Sequence, residues 1–495
     1  MYHLENNREL CWDFDIVAEK QGVSLRQHQP ERKNVAFVAD EDWEGSHCGY
    51  SRILKVPDGI RFYYRADNID MDTHELTHTP YVCVAESKDG KTFTKPKLCK
   101  FDHNGSKENN IVMSFGRYFD NFAVLYDENP ACPPDEKYKA LEGREIRATD
   151  GKSFADGASS RRRLLYYKSA DGISFEYVRE LDIDGFFDSY NIAFWDKETS
   201  QYFLYYRNFH DVERQWPDFS FDWRDPRARR DIRVTTSKDF VHWSKGQEIS
   251  YGKDAPDFQL YINNIQRYER AKGWFIGRPT RYIDRKDSPN NFNHLTWNNN
   301  DSRKRLIELR GREGTAVTDC MLMVSRDGTH FNRGNEPFMP SFLENQQNWR
   351  YGDCFMSYGM LETEADFPGE PNELSMYCGE GTLSIPTYFR RYTIRMDGFL
   401  SWHADYEGGK VLTKPMTFAG DSLTINFATS AVGYLKIAVC DLDGNELEGY
   451  HSGELFGNSI ARPVDFDKNL QDLNGKEVRL KFELSSCDLY SFIFE

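Results

Sequence analysis

The sequence predicts an all-β chain, a five-bladed β-propeller over residues 1–405 followed by a small β-sandwich over residues 406–495. Three observations carry this. First, a turn string Ser-x-Asp-Gly-x-x-Phe recurs at positions 87–93, 169–175 and 325–331, with a variant at 237–243 and a truncated copy at 395–399. Asp-Gly between two apolar runs marks a tight turn, because glycine tolerates positive φ. Second, a pair of strand-like runs alternates with that string, each pair preceded by an acidic residue. Third, 15% of the residues are aromatic, and rings pack well on pleated surfaces. A chain of 495 residues exceeds the span of one ordinary core, about 250–300 residues, unless it repeats. Four antiparallel strands repeated five times describe a propeller.

In the first blade Trp43-Glu44-Gly45 leads into 50–56, and Pro57-Asp58-Gly59 turns into 60–65. Glu108-Asn109-Asn110 opens the second, with 111–114 and 122–126 as its first strands. Asp188 through Asn191 opens the third, ahead of 192–195 and 202–207. Asp257, Tyr261 and Asn263 precede 264–268 and 274–278 in the fourth, and Tyr351-Gly352-Asp353 precedes 354–361 and 373–377 in the fifth. Polar segments 129–160, 211–230 and 282–314 read as insertions on one rim. The charge runs Arg161–163 and Arg229-Arg230 read as solvated loop ends. Beyond residue 405, period-two runs at 423–427, 434–440, 478–482 and 489–494 indicate an accessory sandwich without a catalytic cluster.

The net charge of −16 argues against nucleic acid, anionic membranes and strongly acidic polysaccharides as partners. No apolar run is long enough for a membrane helix, and the first residues lack the apolar core of a signal peptide. The ten cysteines are scattered without zinc spacing, which fits reduced thiols and a cytoplasmic location. His74 and His78 lie four apart without a helix to align them, so no metal or cofactor is expected. Homo-oligomerisation is left open.

In a propeller the first strand of each blade lines the axis, and its start shares a face with the end of the second strand. Glu44, Glu108, Asp188, Asp257 and Asp353 should then converge on one axial pocket. Strand ends add Arg65, Asp127, Arg207, Arg278 and Glu380, with Asn109, Asn110, Asn191, Asn263 and Tyr261 beside them. Several carboxylates with arginines, amides and rings fit glycoside chemistry, in which one carboxyl group protonates the leaving oxygen and another attacks or activates water. Crowded carboxylates raise one another's pKa, which keeps one protonated.

The strings Asp42-Trp43-Glu44-Gly45, Tyr63-Tyr64-Arg65, Asn104 through Ile111, Phe187-Asp-Ser-Tyr-Asn191 and Arg391 through Phe399 carry a further signal. In them the chain resembles bacterial glycosyl-hydrolase-like proteins, which are similar to the five-bladed invertase, levansucrase and arabinanase group. The resemblance implies three acids on blades one to three, here Glu44 as nucleophile or base, Glu108 as the orienting acid and Asp188 as general acid. Glu380 or Asp353 could replace Glu108. The invertase signatures are absent, and Arg224-Asp225-Pro226 matches one of them in letters only. The expected activity is hydrolysis of short oligosaccharides or glycosides, with furanosides preferred by the resemblance alone. Rival readings are a phosphorylase or transferase using Arg207, Arg278 or Arg281 for phosphate, and a non-catalytic sugar-binding propeller. A sialidase is disfavoured, since neither an arginine cluster nor a sixth blade is evident.

Overall fold

The computed structural model describes residues 2–70, 72–73, 75–115, 119–147, 160–213, 227–252, 254–292, 294–295, 302–345, 348–383 and 386–495. His74 and Arg224-Asp225-Pro226 lie outside them. The described chain is mostly β-strand, with short α-helices at Pro289–Phe292, Ser302–Arg310 and Arg312–Thr315. No helix among the described residues is long and apolar enough to cross a membrane.

Four-stranded sheets follow one another along the chain. The first runs Gly49–Val56, Gly59–Ala66, Tyr81–Ser87 and Ile111–Ser114. In the second, Phe119–Tyr126, Tyr138–Arg147, Ser160–Ser169 and Glu176–Leu181 pair in order. Ile192–Asp196, Gln201–Asp211, Ala228–Ser237 and Gln247–Glu248 make the third. The fourth pairs Ile265–Arg267, Phe275–Gly277, Met323–Ser325 and His330–Arg333, with Ser250–Tyr251 running parallel at its edge. Leu361–Thr363, Glu373–Glu380 and Thr387–Arg395 form the fifth, whose outer strand, Glu31–Ala39, comes from the start of the chain.

Two expectations are corrected here. Ile111–Ser114 is the fourth strand of the first sheet, paired with Tyr81–Ser87, and does not open the second. Asn110 holds it there, donating to the Val84 carbonyl and to the Tyr64 hydroxyl, each at 2.8 Å. The segment 129–160 is no simple insertion, because Tyr138–Arg147 is the second strand of its sheet.

The turn string builds one repeated device. The Ser87 hydroxyl donates to Asp89 Oδ1 (3.0 Å) and accepts from the Gly90 N–H (2.9 Å), while Asp89 Oδ1 accepts from the Lys91 and Thr92 N–H groups. Ser169/Asp171, Ser237/Asp239 and Ser325/Asp327 reproduce it. The Gly172 carbonyl then accepts from the Tyr63 hydroxyl of the preceding sheet at 2.9 Å, and the Gly328 carbonyl from Tyr205 at 2.8 Å. Tyr377 of the fifth sheet donates to the Gly90 carbonyl in the first. At Gly172, φ is +72° and a Cβ would lie 2.6 Å from the Tyr63 oxygen, so glycine is required on both counts. The fifth copy departs from the pattern. Asp397 is fully buried, paired with Arg270 (2.9 Å) and Arg8 (3.7 Å), and accepts from Tyr268 and Ser491.

Apolar clusters fill the joints between successive sheets. Phe122, Tyr138 and Tyr167 meet Tyr63 and Val84 between the first and second. Tyr166 and Leu141 meet Tyr202 and Phe240 between the second and third. Phe203 and Tyr205 meet Phe275 and Phe331 between the third and fourth. Trp274 and Val324 meet Met376 and Tyr392 between the fourth and fifth, where Trp12 from the N-terminus also inserts. Phe37 and Phe389 meet Phe62 and Tyr64 between the fifth and first.

A nine-stranded sheet gathers Leu423–Cys440 and Arg479–Phe494 with Leu400–Ala404 and Gly409–Thr413. It also takes Glu9–Leu10, Val17–Gln21 and Ser24–Gln27 from the other end of the chain, where the sequence pattern drew on 406–495 alone. Its core, including Trp402, Phe418, Phe482 and Phe492, is separate from the clusters above.

Replacing Asp171 by alanine removes a charged acceptor of three hydrogen bonds and should cost about 1.5–3 kcal/mol. Replacing Asp397 strands two arginines and should cost about 3–5 kcal/mol. Urea unfolding of both variants beside the wild type checks the sizes and their order.

Candidate functional site

One apolar cluster draws on the leading segments or first strands of all five sheets. It contains Ala123, Tyr190, Ile192, Tyr261, Ile262, Tyr282 and Tyr358, with the partly buried Tyr50, Tyr351 and Phe355 packed against them. The Tyr50 and Tyr261 hydroxyls lie 3.3 Å apart. Tyr261 stacks on Phe355 and meets Tyr351 edge-on. Tyr50, Phe187, Asn264 and Cys354 hold positive φ values of 43°, 56°, 44° and 57° in the leading segments of the first, third, fourth and fifth sheets. Non-glycine residues in that region cost about 1–3 kcal/mol each and cluster at functional sites.

Charged groups ring this cluster. The Asp188 carboxylate, 16% exposed, accepts from Arg207 Nη1 at 3.2 Å. Arg207 is otherwise buried, with its guanidinium 4.6 Å from the Tyr261 ring centre and a bond to the Tyr261 carbonyl. Arg230 stands 4.6 Å from the centre of Tyr282, and Arg312 stands 5.6 Å from it. Burial lowers the pKa of Arg230, and the charges of Arg312 and Arg207 lower it further. On the first sheet Arg65 lies 5.9 Å from the Tyr50 ring centre and pairs with Asp67 at 2.8 Å. His47 contacts the same carboxylate at 3.2 Å. Burial opposes the charged form of Asp67, but Arg65 and His47 win and hold it at about 2. Burial, Tyr261 and Asp188 push the Tyr50 phenol up, against the pull of Arg65. Arg312 also lines a cavity of 550 Å³ with Lys286, Arg303 and Lys304.

Of the residues expected to converge, the structure brings Arg65, Asp188, Arg207 and Tyr261 together. Asn191 orders them from beneath, accepting from the Arg207 N–H at 3.2 Å. Asn263 is buried against the Tyr190 and Tyr205 carbonyls and holds backbone. Arg278, fully buried, donates to the Gly359 carbonyl at 3.1 Å, and Arg281 pairs with Asp319. Asp257 stands at the rim, 3.1 Å from His210.

The other carboxylates do not converge with them. Glu44 is sealed from solvent, accepting from Tyr64, from Lys95 at 2.7 Å and from the Glu41 N–H at 2.9 Å. Burial leaves its pKa raised despite Lys95. Glu108 is 69% exposed and pairs with Lys97, because the strand it precedes lies at the outer edge of the first sheet. Asn109 and Asn110 belong to that same edge. Asp127 is buried between sheets, bonded to Lys139 and to Tyr202, each at 2.7 Å.

Glu380 and Asp353 line a different, narrow cavity with Arg32, Ser341 and Tyr392. Glu380 is saturated by Arg32, Arg390 and Tyr392, which lower its pKa in spite of burial. Asp353 accepts from the Arg350 N–H at 3.1 Å, and burial pushes it up to about 6.

Sequence reasoning missed Tyr50, Arg230, Tyr282 and Arg312. Arg230 was hidden in a charge run read as solvated, and its alternation with Asp231 on a strand was the available signal. Arg207, Arg230 and Arg312 gather around Tyr261 and Tyr282.

No protein-family model and no curated protein matches this sequence. Among solved structures the chain is similar to an N-acetylgalactosamine deacetylase from F. plautii, at 10% identity and a TM-score of 0.39 over 93% of this chain and 95% of that one. It is similar to a family 43 arabinoxylan arabinofuranohydrolase from Bacillus subtilis, at 11% identity and a TM-score of 0.32 over 91% and 80%. A structure from the GH130 family of mannoside phosphorylases and glycoside hydrolases gives 12% identity and a TM-score of 0.41 over 75% and 94%. These scores are low, and the functional reading rests on the side chains.

Asp353 yields a pH test. Its folded pKa of about 6 lies above the ordinary 3.8, so it costs nothing below pH 3.8 and its cost grows as the pH rises towards 6. Asp353→Asn should stabilise the fold by up to about 3 kcal/mol at pH 7.5 or so and by almost nothing near pH 4. Thermal unfolding of both proteins across that range reads the difference.

Proposed function

We propose that the chain is a carbohydrate-active enzyme of the glycosidase type. In this reading the five sheets close into a five-bladed propeller within residues 1–405. The segment 406–495, joined by strands from the N-terminus, forms an accessory sandwich. The substrate is a short oligosaccharide or glycoside held where the leading segments meet. The observation that carries the reading is Asp188, a partly exposed carboxylate held by Arg207 at the edge of a buried ring of tyrosines. With a proton on it such a group can donate to a glycosidic oxygen, while the half-buried Tyr50, Tyr351 and Phe355 offer rings to sugar faces.

Arg207, Arg230 and Arg312 favour a second reading within the same class. Three guanidiniums around Tyr261 and Tyr282 suit an oxyanion, either phosphate as the attacking group or the carboxylate of an acidic sugar. A phosphorylase needs one carboxyl proton donor and lets phosphate replace the second carboxylate.

A panel of aryl glycosides, including furanosides and uronides, with and without inorganic phosphate, tests these readings. Asp188→Asn should lower kcat by about 10²–10⁴ on the best substrate. Wild-type turnover in that variant removes Asp188 from the chemistry. Product formation that requires phosphate, with a raised phosphate KM in Arg230→Gln, selects phosphorolysis.

A further inference from the structure

The third sheet carries a second polar cluster on the face opposite Arg207 and Arg230. Strand alternation places Asn208 and His210 on that face of Gln201–Asp211, and Asp231 lies directly across from Asn208 on Ala228–Ser237. Glu248, on the next strand, pairs with Arg233 and so shares the face. His210 Nδ1 lies 3.2 Å from Asp231 Oδ2 and 3.5 Å from Glu248 Oε1, and the three ligand atoms all lie within 4.8 Å of one another. On the other side of the ring, His210 Nε2 meets Asp257 at 3.1 Å.

Among the described residues, several buried polar groups around these atoms lack hydrogen-bond partners. Asp231 is 4% exposed and its Oδ1 accepts no hydrogen bond, with Arg233 Nε alongside at 3.6 Å. Asn208 is fully buried, and neither its amide oxygen nor its nitrogen has a partner. The buried Tyr251 hydroxyl also has none, and it lies close enough to feel the charges of Asp231, Glu248 and Asp257. A buried donor or acceptor left unpaired costs about 1–3 kcal/mol, so several around one point call for a ligand.

We propose that His210, Asp231 and Glu248 bind a divalent transition-metal ion, with zinc the best fit. Metal–ligand distances of about 2.1 Å give tetrahedral edges of about 3.4 Å, close to the two separations measured from His210. One imidazole with two carboxylates suits zinc or manganese. Asp257 supplies the carboxylate that commonly accepts from the far nitrogen of a ligating histidine and fixes its tautomer. The ion would tie together three strands whose opposite face carries Arg207 and Arg230. The ligands at 210, 231 and 248 come from separate strands and form no linear motif.

The test uses the full chain, stripped with a chelator and dialysed, then titrated calorimetrically with zinc chloride and separately with manganese chloride, with bound metal measured by mass spectrometry. About one ion per chain is expected, with a higher unfolding temperature. Asp231→Asn and Glu248→Gln should each weaken binding by at least about tenfold, and Asp257→Asn by about 10–100-fold. Asp257 is exposed, so its variant should fold even if the buried changes disturb the sheet. Cys99→Ser, at the exposed thiol, should bind as wild type. Absence of uptake of either metal by the wild type overturns the proposal, and leaves His210 as an imidazolium paired with acids. Uptake that survives all three acid variants overturns it equally.

Discussion

The contact on which the assembly depends most is the hydrogen bond from a second-strand tyrosine to the carbonyl of the next sheet's Asp-Gly turn. Tyr63 reaches Gly172, Tyr205 reaches Gly328 and Tyr377 reaches Gly90. A sheet of four strands has two faces to bury and cannot do so alone. The serine and aspartate shape the turn and the glycine lets it approach, so that these three joints each have one directional bond amid packed rings. The third sheet replaces that glycine by Phe240, which accepts a positive φ of 67° and packs its ring on Tyr166 and Tyr202. Apolar packing there takes over the role the hydrogen bond has elsewhere.

With the joints fixed, the leading segments of the sheets are forced to meet. Their backbone pays for this in positive φ values at four non-glycine positions, and their side chains form the tyrosine cluster. The arginines crowd because Arg207 and Arg230 share one face of two paired strands and the short helix Arg312–Thr315 brings Arg312 to the same tyrosines. Arg207 finds Asp188, whereas Arg230 sits near two like charges with its Nη1 on Gln259. This concentration of positive charge in an otherwise acidic chain is what gives the site its character.

Much of this was legible in sequence. The turn string located the sheets because its hydrogen bonds are local, and the strand runs from Gly49, Ile192 and Glu373 fell where alternation put them. Position in the sheet was harder. Ile111–Ser114 reads as a first strand by its acidic lead, but pairing with Tyr81–Ser87 is a long-range choice that periodicity does not encode. Glu108 followed that strand to the surface. Glu44 and Asp127 hold the repeat-like positions expected, yet local partners, Lys95 and Lys139, capture them. Whether an acid faces an open site or a buried lysine depends on which loop or strand of its own sheet folds over it. Asp188 and Arg207 were legible together because they sit at the two ends of one hairpin.

Glu31–Ala39 completes the fifth sheet by pairing with Thr387–Arg395, and Glu9–Leu10, Val17–Gln21 and Ser24–Gln27 lie in the sheet that ends at Phe494. During synthesis Glu31–Ala39 therefore waits for Thr387–Arg395, about 350 residues later in the sequence. The middle sheets can form as they emerge, since their strands are neighbours in sequence, while the fifth sheet stays incomplete until Thr387–Arg395 is made and the nine-stranded sheet until Arg479–Phe494 is made. Final folding is then a slow step with large loop-closure entropy. Removal of residues 9–39 would expose unpaired strand edges in two separate sheets at once, whereas removal of Arg479–Phe494 would do so in the nine-stranded sheet.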